Sequence, residues 1–187
     1  MPKFRNSEYT VEFKYRRLLE PRSESELAAI IKNANQEGRK IKIVGGSHSF
    51  SHIGKTDDTL VDLSKISEFC SLIDVDQNEK SAVLGGGMQL GDAIEALHAH
   101  DLHFPSLGSW YSQTIGGALA TAVHGSSLEY GTLSDLVEEL WAITASGDSI
   151  HLKNNDSGLA AWRVSLGLLG VVTKGQISPE RSFLSKK

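Results

Sequence analysis

The chemistry of this chain is concentrated where histidine meets glycine and serine. Residues 41–50 read Ile-Lys-Ile-Val-Gly-Gly-Ser-His-Ser-Phe, an alternating β-type run that ends in two glycines and then a histidine between two serines. Gly45 and Gly46 have no Cβ, so the backbone there can turn sharply and approach a ligand closely. Consecutive N–H groups in such a turn form a concave nest suited to phosphate. Ser47, His48 and Ser49 follow, and His48 would project a nucleophilic imidazole from the loop that holds the phosphate. As plain structure, the same run is a strand-to-turn junction with a surface histidine, and a short glycine motif alone does not decide between the two.

A second glycine-rich segment covers residues 105–131. It offers Ser106, Gly108, Ser109, Gly116, Gly117, Thr121, His124, Gly125 and Ser126, a mixture of hydroxyls, glycines and one histidine. Gly116 and Gly117 open a helix, and a helix N-terminus favours an anion. The plain alternative is a close-packed Ala/Gly helix followed by a loop. Two donor-rich loops far apart in sequence suggest a large ligand that carries a diphosphate and a polar ring. Other patterns fail. Gly85-Gly86-Gly87 lacks the spacing of a dinucleotide fingerprint, and no Gly-Lys-Ser/Thr loop is present. His98, His100, Asp101 and His103 cluster, but neighbours at i and i+2 do not share a helix face, so no metal site is expected. Without a Gly-x-Ser-x-Gly elbow or an acid partner for a Ser/His pair, hydrolase chemistry is not expected. Trp110, Trp141 and Trp162 are too scattered to form a stacking platform and read as core or pocket wall. His151 reads as solvated.

The elements that must position these loops follow from spacing. Ser23 or Ser25 can cap a helix whose first turn is acidic, Leu27, Ile30, Ile31 and Ala34 form its apolar stripe, and Gly38 ends it. Strands are predicted over residues 9–13, 41–44, 59–63, 69–75 and 81–84. A helix is expected over 90–98, with Leu90, Ala93, Ile94 and Leu97 on one face. A short helix is expected within 113–122, a hairpin of 136–145 and 149–152 turning at Ser146-Gly147-Asp148, a short helix over 159–164 and a strand over 170–177. Helices and strands mix without regular alternation, so the fold class is α+β rather than a doubly wound sheet.

The sequence has 187 residues, enough for one domain or two small lobes sharing a core. Net charge is −4, and neither Arg16-Arg17 nor Lys186-Lys187 makes a basic stripe, so no nucleic-acid partner is expected. The single cysteine, Cys70, excludes an intrachain disulfide and sits among apolar residues, which reads as a buried inert thiol. No apolar run has membrane-spanning length and residues 1–6 lack a signal-peptide core, so no membrane association and a cytoplasmic location are expected.

With both loops in place, the chain resembles the FAD-binding domain of the vanillyl-alcohol oxidase-type flavoproteins. The resemblance is strongest to the sugar oxidase branch, the alditol (xylitol) oxidases and the aldonolactone oxidases such as L-gulonolactone and D-arabinonolactone oxidase. Val44-Gly-Gly-Ser-His-Ser-Phe is similar to that branch's Gly-x-x-His-Ser loop, and Val83-Leu-Gly-Gly-Gly to its strand and glycine pair. Ser106-Leu-Gly-Ser through Ile115-Gly-Gly-Ala is similar to the loop under the flavin, and Ala122-Val-His-Gly-Ser to Gly-Thr-His-Gly. Tyr130-Gly-Thr-Leu-Ser-Asp and Ser165-Leu-Gly-Leu-Leu-Gly-Val-Val-Thr match the later blocks.

The resemblance implies two α+β lobes, about residues 1–75 and 76–187, with FAD between them. It implies that Gly45, Gly46, Ser47, His48 and Ser49 hold the pyrophosphate, and that His48 bonds the flavin 8α-methyl. Ser106, Gly108, Ser109, Gly116, Gly117 and Thr121 would line the pyrophosphate and isoalloxazine. His124, Gly125 and Ser126 would lie by the ribityl chain or ring, and Val171 and Val172 by the adenine. Gly108 leaves room compatible with dioxygen as electron acceptor. Ala122 and Val123 stand where the family has glycine and threonine, so one hydroxyl donor is lost. Family enzymes continue into a cap domain that binds the polyol or aldonolactone and supplies the groups acting on it. The sequence stops at Lys187, so no catalytic residue for substrate is expected within it. The expected function is the FAD domain of an oxidoreductase acting on CH–OH groups, truncated before the substrate domain. A stand-alone or split flavin-binding module without turnover is the alternative, and a nucleotide-binding interaction domain that has lost the family chemistry is a third. With the cap face uncovered, self-association or a partner chain is expected.

Overall fold

The computed structural model describes residues 1–181; Lys186 and Lys187 lie outside them. The chain begins with an antiparallel pair, β1 (Lys3–Arg5) and β2 (Glu12–Lys14). Next come β3 (Arg17–Leu19), helix α1 (Glu24–Gln36) and β4 (Ile41–Val44). Ser23 caps α1 by accepting a bond from the Glu26 N–H at 3.1 Å, which satisfies one of the orphan donors of the first turn. Leu27, Ile31 and Ala34 are the buried stripe. Strand β5 (Thr59–Asp62) lies between β3 and β4, and all three run parallel. The β3–α1–β4 crossover therefore delivers the chain to residues 45–50 at the carboxyl end of a parallel sheet, where open α/β sheets place their ligands.

A five-stranded antiparallel sheet forms the larger layer. It comprises β6 (Leu72–Asp76), β7 (Ser81–Gly85), β9 (Val137–Thr144), β10 (Ser149–Lys153) and β11 (Gly170–Ile177), in the order β10-β9-β11-β7-β6. Between β7 and β9 lie α2 (Leu90–His98), the short β8 (Leu102–His103) and α3 (Ile115–Ala120). Helix α4 (Leu159–Arg163) precedes β11, and β12 (Glu180–Arg181) pairs with β8. The apolar faces of α2 and α3, Leu90, Ala93, Leu97, Ala118 and Leu119, join Leu84, Leu140 and Ile177 in one core. Each fully buried aliphatic side chain contributes about 1.5–3 kcal/mol. A second core packs α1 against the parallel strands and includes Ile143 and Val171 from the large sheet. The two layers thus share apolar side chains, and the fold is α+β.

Several predicted bounds shift. Tyr9 is in a left-handed turn (φ 59°) outside the predicted 9–13 strand, which begins instead at Glu12. Phe69 is fully buried in a 3₁₀ turn (Ser67–Cys70), and its N–H reaches the Ile66 carbonyl, so the sheet strand starts only at Leu72. No helix among the described residues is long and apolar enough to cross a membrane.

Candidate functional site

A cleft of about 720 Å³ opens between the parallel sheet and the large sheet, within the range of small-molecule sites. Its walls include residues 45–49 of the first glycine loop, Gly116, Gly117 and Thr121 from α3 and its end, and Val171 and Val172 from β11. These are ten of the residues singled out from sequence. Ser106, Gly108, Ser109, His124, Gly125 and Ser126 are not in the cleft wall. Ser106, His124 and Gly125 are bonded next to one another: the Gly125 N–H donates to Ser106 Oγ at 3.1 Å, and His124 Nδ1 lies 2.8 Å from the Gly125 carbonyl. A Cβ on Gly108 would meet Val123 Cγ1 at 2.8 Å, so Val123 bounds the space beside that glycine.

The glycines of the first loop are dictated by close backbone approach. A Cβ on Gly46 would lie 2.0 Å from the Ser112 carbonyl oxygen, and one on Gly45 would lie 2.3 Å from Thr114 Oγ1. Ser47 adopts a left-handed φ of 59°, an uncommon conformation for a non-glycine residue and one that turns successive amides toward one side. Among the described residues, the backbone N–H groups of Gly46, Ser47, His48 and Ser49 make no bond within the chain. Four adjacent free donors at a cleft suit an anionic group. The start of α3 differs. The Gly116 N–H is taken by the Gly86 carbonyl at 2.7 Å and the Gly117 N–H by Thr114 Oγ1 at 3.3 Å. Close packing of α3 on the turn after β7 explains Gly116, since a Cβ there would meet the Gly86 oxygen at 2.9 Å, whereas a Cβ on Gly117 would meet only Thr114 Oγ1, at 3.1 Å.

The His48 side chain is nearly buried, with 9% of it exposed. Nδ1 lies 3.0 Å from both Ser7 Oγ and Glu8 Oε1, and Nε2 lies 2.6 Å from Ser112 Oγ. The indole of Trp110 stacks on the ring at 5.4 Å. Trp110 is half-exposed and belongs to the cleft wall, whereas Trp162 is core. Trp141 stacks on His151 at 4.2 Å. His151 is exposed, as expected, and also pairs with Glu139 at 2.6 Å.

Two polar atoms of the cleft wall, Ser165 Oγ and Gln113 Oε1, are buried and have no partner among the described residues. Leaving such atoms unpaired costs about 1–3 kcal/mol each, so a polar ligand or a water in the cleft would satisfy them. Gln113, Thr114, Ser7, Glu8 and Ser112 belong to the site but carry no motif that marks them in the sequence. Ser165 opens the Ser165–Thr173 block of the family resemblance, which gives it no role of its own. Its neighbours Leu166 (φ 54°) and Gly167 (φ 67°) form a left-handed pair at the cleft rim, and the Leu-Gly dipeptide was the available signal. Ala122 is also left-handed, with φ 53°. No group of three or more His, Cys, Asp or Glu able to hold a metal occurs among the described residues.

The family model described as FAD binding domain matches residues 15–153. The chain is 36% identical to L-gulono-1,4-lactone dehydrogenase of Mycobacterium tuberculosis (strain H37Rv) over 84% of this chain and 36% of that protein. It is 33% identical to L-gulonolactone oxidase of Scyliorhinus torazame over 82% of this chain and 34% of that protein. Identity to D-arabinono-1,4-lactone oxidase of Eremothecium gossypii is 30% over 88% of this chain and 31% of that protein. The chain spans about a third of the length of these relatives. Among solved structures, cholesterol oxidase from B. sterolicum superposes with a TM-score of 0.87 over 96% of this chain and 36% of that chain. Alkyldihydroxyacetonephosphate synthase superposes with a TM-score of 0.78 over 88% of this chain and 31% of that chain. Both are 20% identical to this chain, and the likeness is one of fold.

Proposed function

The chain belongs to the FAD-binding domain family, and from that premise we propose that its cleft holds FAD as the cofactor half of an oxidoreductase acting on the CH–OH group of an aldonolactone or sugar alcohol. The observation that carries this reading is the run of unspent N–H donors from Gly46 to Ser49 at the mouth of a two-walled cleft. Those donors fit a pyrophosphate, which is a strong multi-acceptor anion. Ser165 Oγ and Gln113 Oε1 supply further polar anchors on the cleft wall, Gln113 directly beside Gly46, and Val171 and Val172 offer an apolar border for a purine. The bound flavin would supply the redox chemistry, accepting a hydride from a substrate C–H and passing two electrons onward.

What the chain itself contributes is binding, orientation and exclusion of water. His48 is the proposed attachment residue for an 8α-histidyl link; its three polar neighbours and the Trp110 stack support that role by fixing the ring. Dioxygen is the proposed acceptor, by likeness to the relatives whose names are oxidases. Ser106 and Gly125, bonded to each other, and His124 brace the loop that follows α3 and act on the ligand through its position. The test is acid precipitation of protein reconstituted with FAD. Yellow colour carried down with wild type and left in the supernatant with His48→Ala supports the link. Colour left in the supernatant by both removes the histidyl role and leaves the binding reading intact.

A further inference from the structure

Residues 6–8 lie upstream of the matched segment 15–153, yet they are bonded to the His48 loop at every step. Asn6, only 3% exposed, donates from Nδ2 to the Ser49 carbonyl at 3.2 Å, and its Oδ1 accepts the Thr10 and Val11 N–H groups at 2.8 Å. The Ser7 N–H donates to the Ser47 carbonyl at 3.0 Å. Glu8 places Oε1 at 3.0 Å from His48 Nδ1, and the Asn6 amide lies 3.4 Å from its other oxygen.

Proton counting then fixes the imidazole. Ser7 Oγ carries one hydrogen, and its short bond at 2.8 Å goes to the Ser47 carbonyl. What Ser7 presents to His48 Nδ1 at 3.0 Å is therefore a lone pair. An ionised Glu8 is acceptor-only. Both neighbours of Nδ1 accept, so Nδ1 must carry the proton. On the other side, Ser112 Oγ lies 2.6 Å from Nε2 and has no other side-chain partner among the described residues, so its hydroxyl is free to donate there. Which ring nitrogen holds the proton is set by the bond the other makes.

We propose that Ser7 and Glu8 are positioning residues for His48, holding its neutral ring as the Nδ1–H tautomer with Nε2 accepting from Ser112. Its purpose, presenting one fixed face of the imidazole to a flavin, rests on the function proposed above; the tautomer itself does not.

The experiment is two-bond ¹H–¹⁵N correlation NMR of the uniformly labelled 187-residue chain at mildly alkaline pH, with His48 assigned by comparison with His48→Gln. The expected wild-type pattern has Nδ1 as the protonated nitrogen and Nε2 as the bare one. In the Ser7→Ala/Glu8→Ala double variant, which keeps Asn6 as the latch, the Nδ1–H form should fall below half. Ser112→Ala, which touches only the other nitrogen, should leave Nδ1–H predominant, and Glu8→Asp in an otherwise wild-type chain should retain it. A wild-type ring protonated on Nε2, or an unchanged tautomer in the double variant, overturns the proposal. FAD titration of the same samples is read separately, so failure of the flavin reading does not pass for failure of the tautomer assignment.

Discussion

Replacing Gly46 by alanine tests whether close approach of the first glycine loop to the segment before α3 builds the site. The added Cβ would sit 2.0 Å from the Ser112 carbonyl oxygen and 3.0 Å from Gln113 Cα. Backbone cannot rotate out of the way as a side chain would, so the loop and the segment must part by at least about 1 Å to reach a tolerable contact. Overpacking of this kind costs about 1–3 kcal/mol, and a rigid backbone on both sides puts Gly46→Ala at the upper end, about 2–3 kcal/mol. At roughly 2–4 °C per kcal/mol for a chain of this size, Tm should fall by about 4–12 °C in ligand-free protein. Because the same shift displaces Gln113 and tilts the donors of residues 46–49, FAD affinity should fall by about tenfold or more. Gly54→Ala is the control: no atom lies within 4 Å of its added Cβ, and the substitution should be neutral or slightly stabilising. The assay is thermal unfolding by circular dichroism with and without FAD. A Gly46→Ala protein with the wild-type Tm and FAD response would refute the argument.

Three further outcomes are expected. Ala122 stands in the left-handed region with φ 53°, a strained position for a residue with a Cβ; Ala122→Gly should raise stability by up to about 1 kcal/mol, read as a Tm rise of about 2–4 °C. Burial, reinforced by Asp62 and Asp92, pushes the Cys70 thiol above its ordinary range, so alkylation by iodoacetamide at neutral pH should be slow and should accelerate at least tenfold once the chain is unfolded in denaturant. Hydrogen bonds from Lys3 and Arg5 hold the Glu12 carboxyl down to about 2. A depressed carboxyl stabilises the fold above its ordinary range and loses that contribution as pH falls toward 2. The Tm gap between wild type and Glu12→Gln should therefore be small at pH 7, close as pH falls from about 4 to 2, and shrink at high salt because the group is exposed.

The elements most legible in the sequence were those with a strong local signal. Residues 41–44, 90–98 and 170–177 alternate or repeat clearly, and the corresponding β4, α2 and β11 keep those bounds. The Ser-Gly-Asp turn is closed by Gly147 at φ 87°, a conformation glycine adopts freely. What escaped were pairings with little local pattern. β1 is three residues long and exists through its register with β2, and β8 is two residues held by β12. The same holds for the site. The Gly45-Gly46-Ser47-His48 loop announces itself, but Ser7 and Glu8 reach His48 from about forty residues away, and Ser112 from sixty-four. Nothing in Asn-Ser-Glu predicts that contact, because it depends on how the first strands fold back over β4. The roles of Gly116 and Gly117 also needed coordinates: their amides serve internal packing bonds, which a glycine pair at a helix start cannot reveal.

Whether this cleft binds FAD is measured by an equilibrium titration of flavin-free protein with FAD, followed by calorimetry. A saturable isotherm with one FAD per chain is expected, weakened about tenfold or more by Gly46→Ala. An absence of binding by correctly folded wild-type protein, or binding that Gly46→Ala leaves unchanged, would contradict the FAD reading.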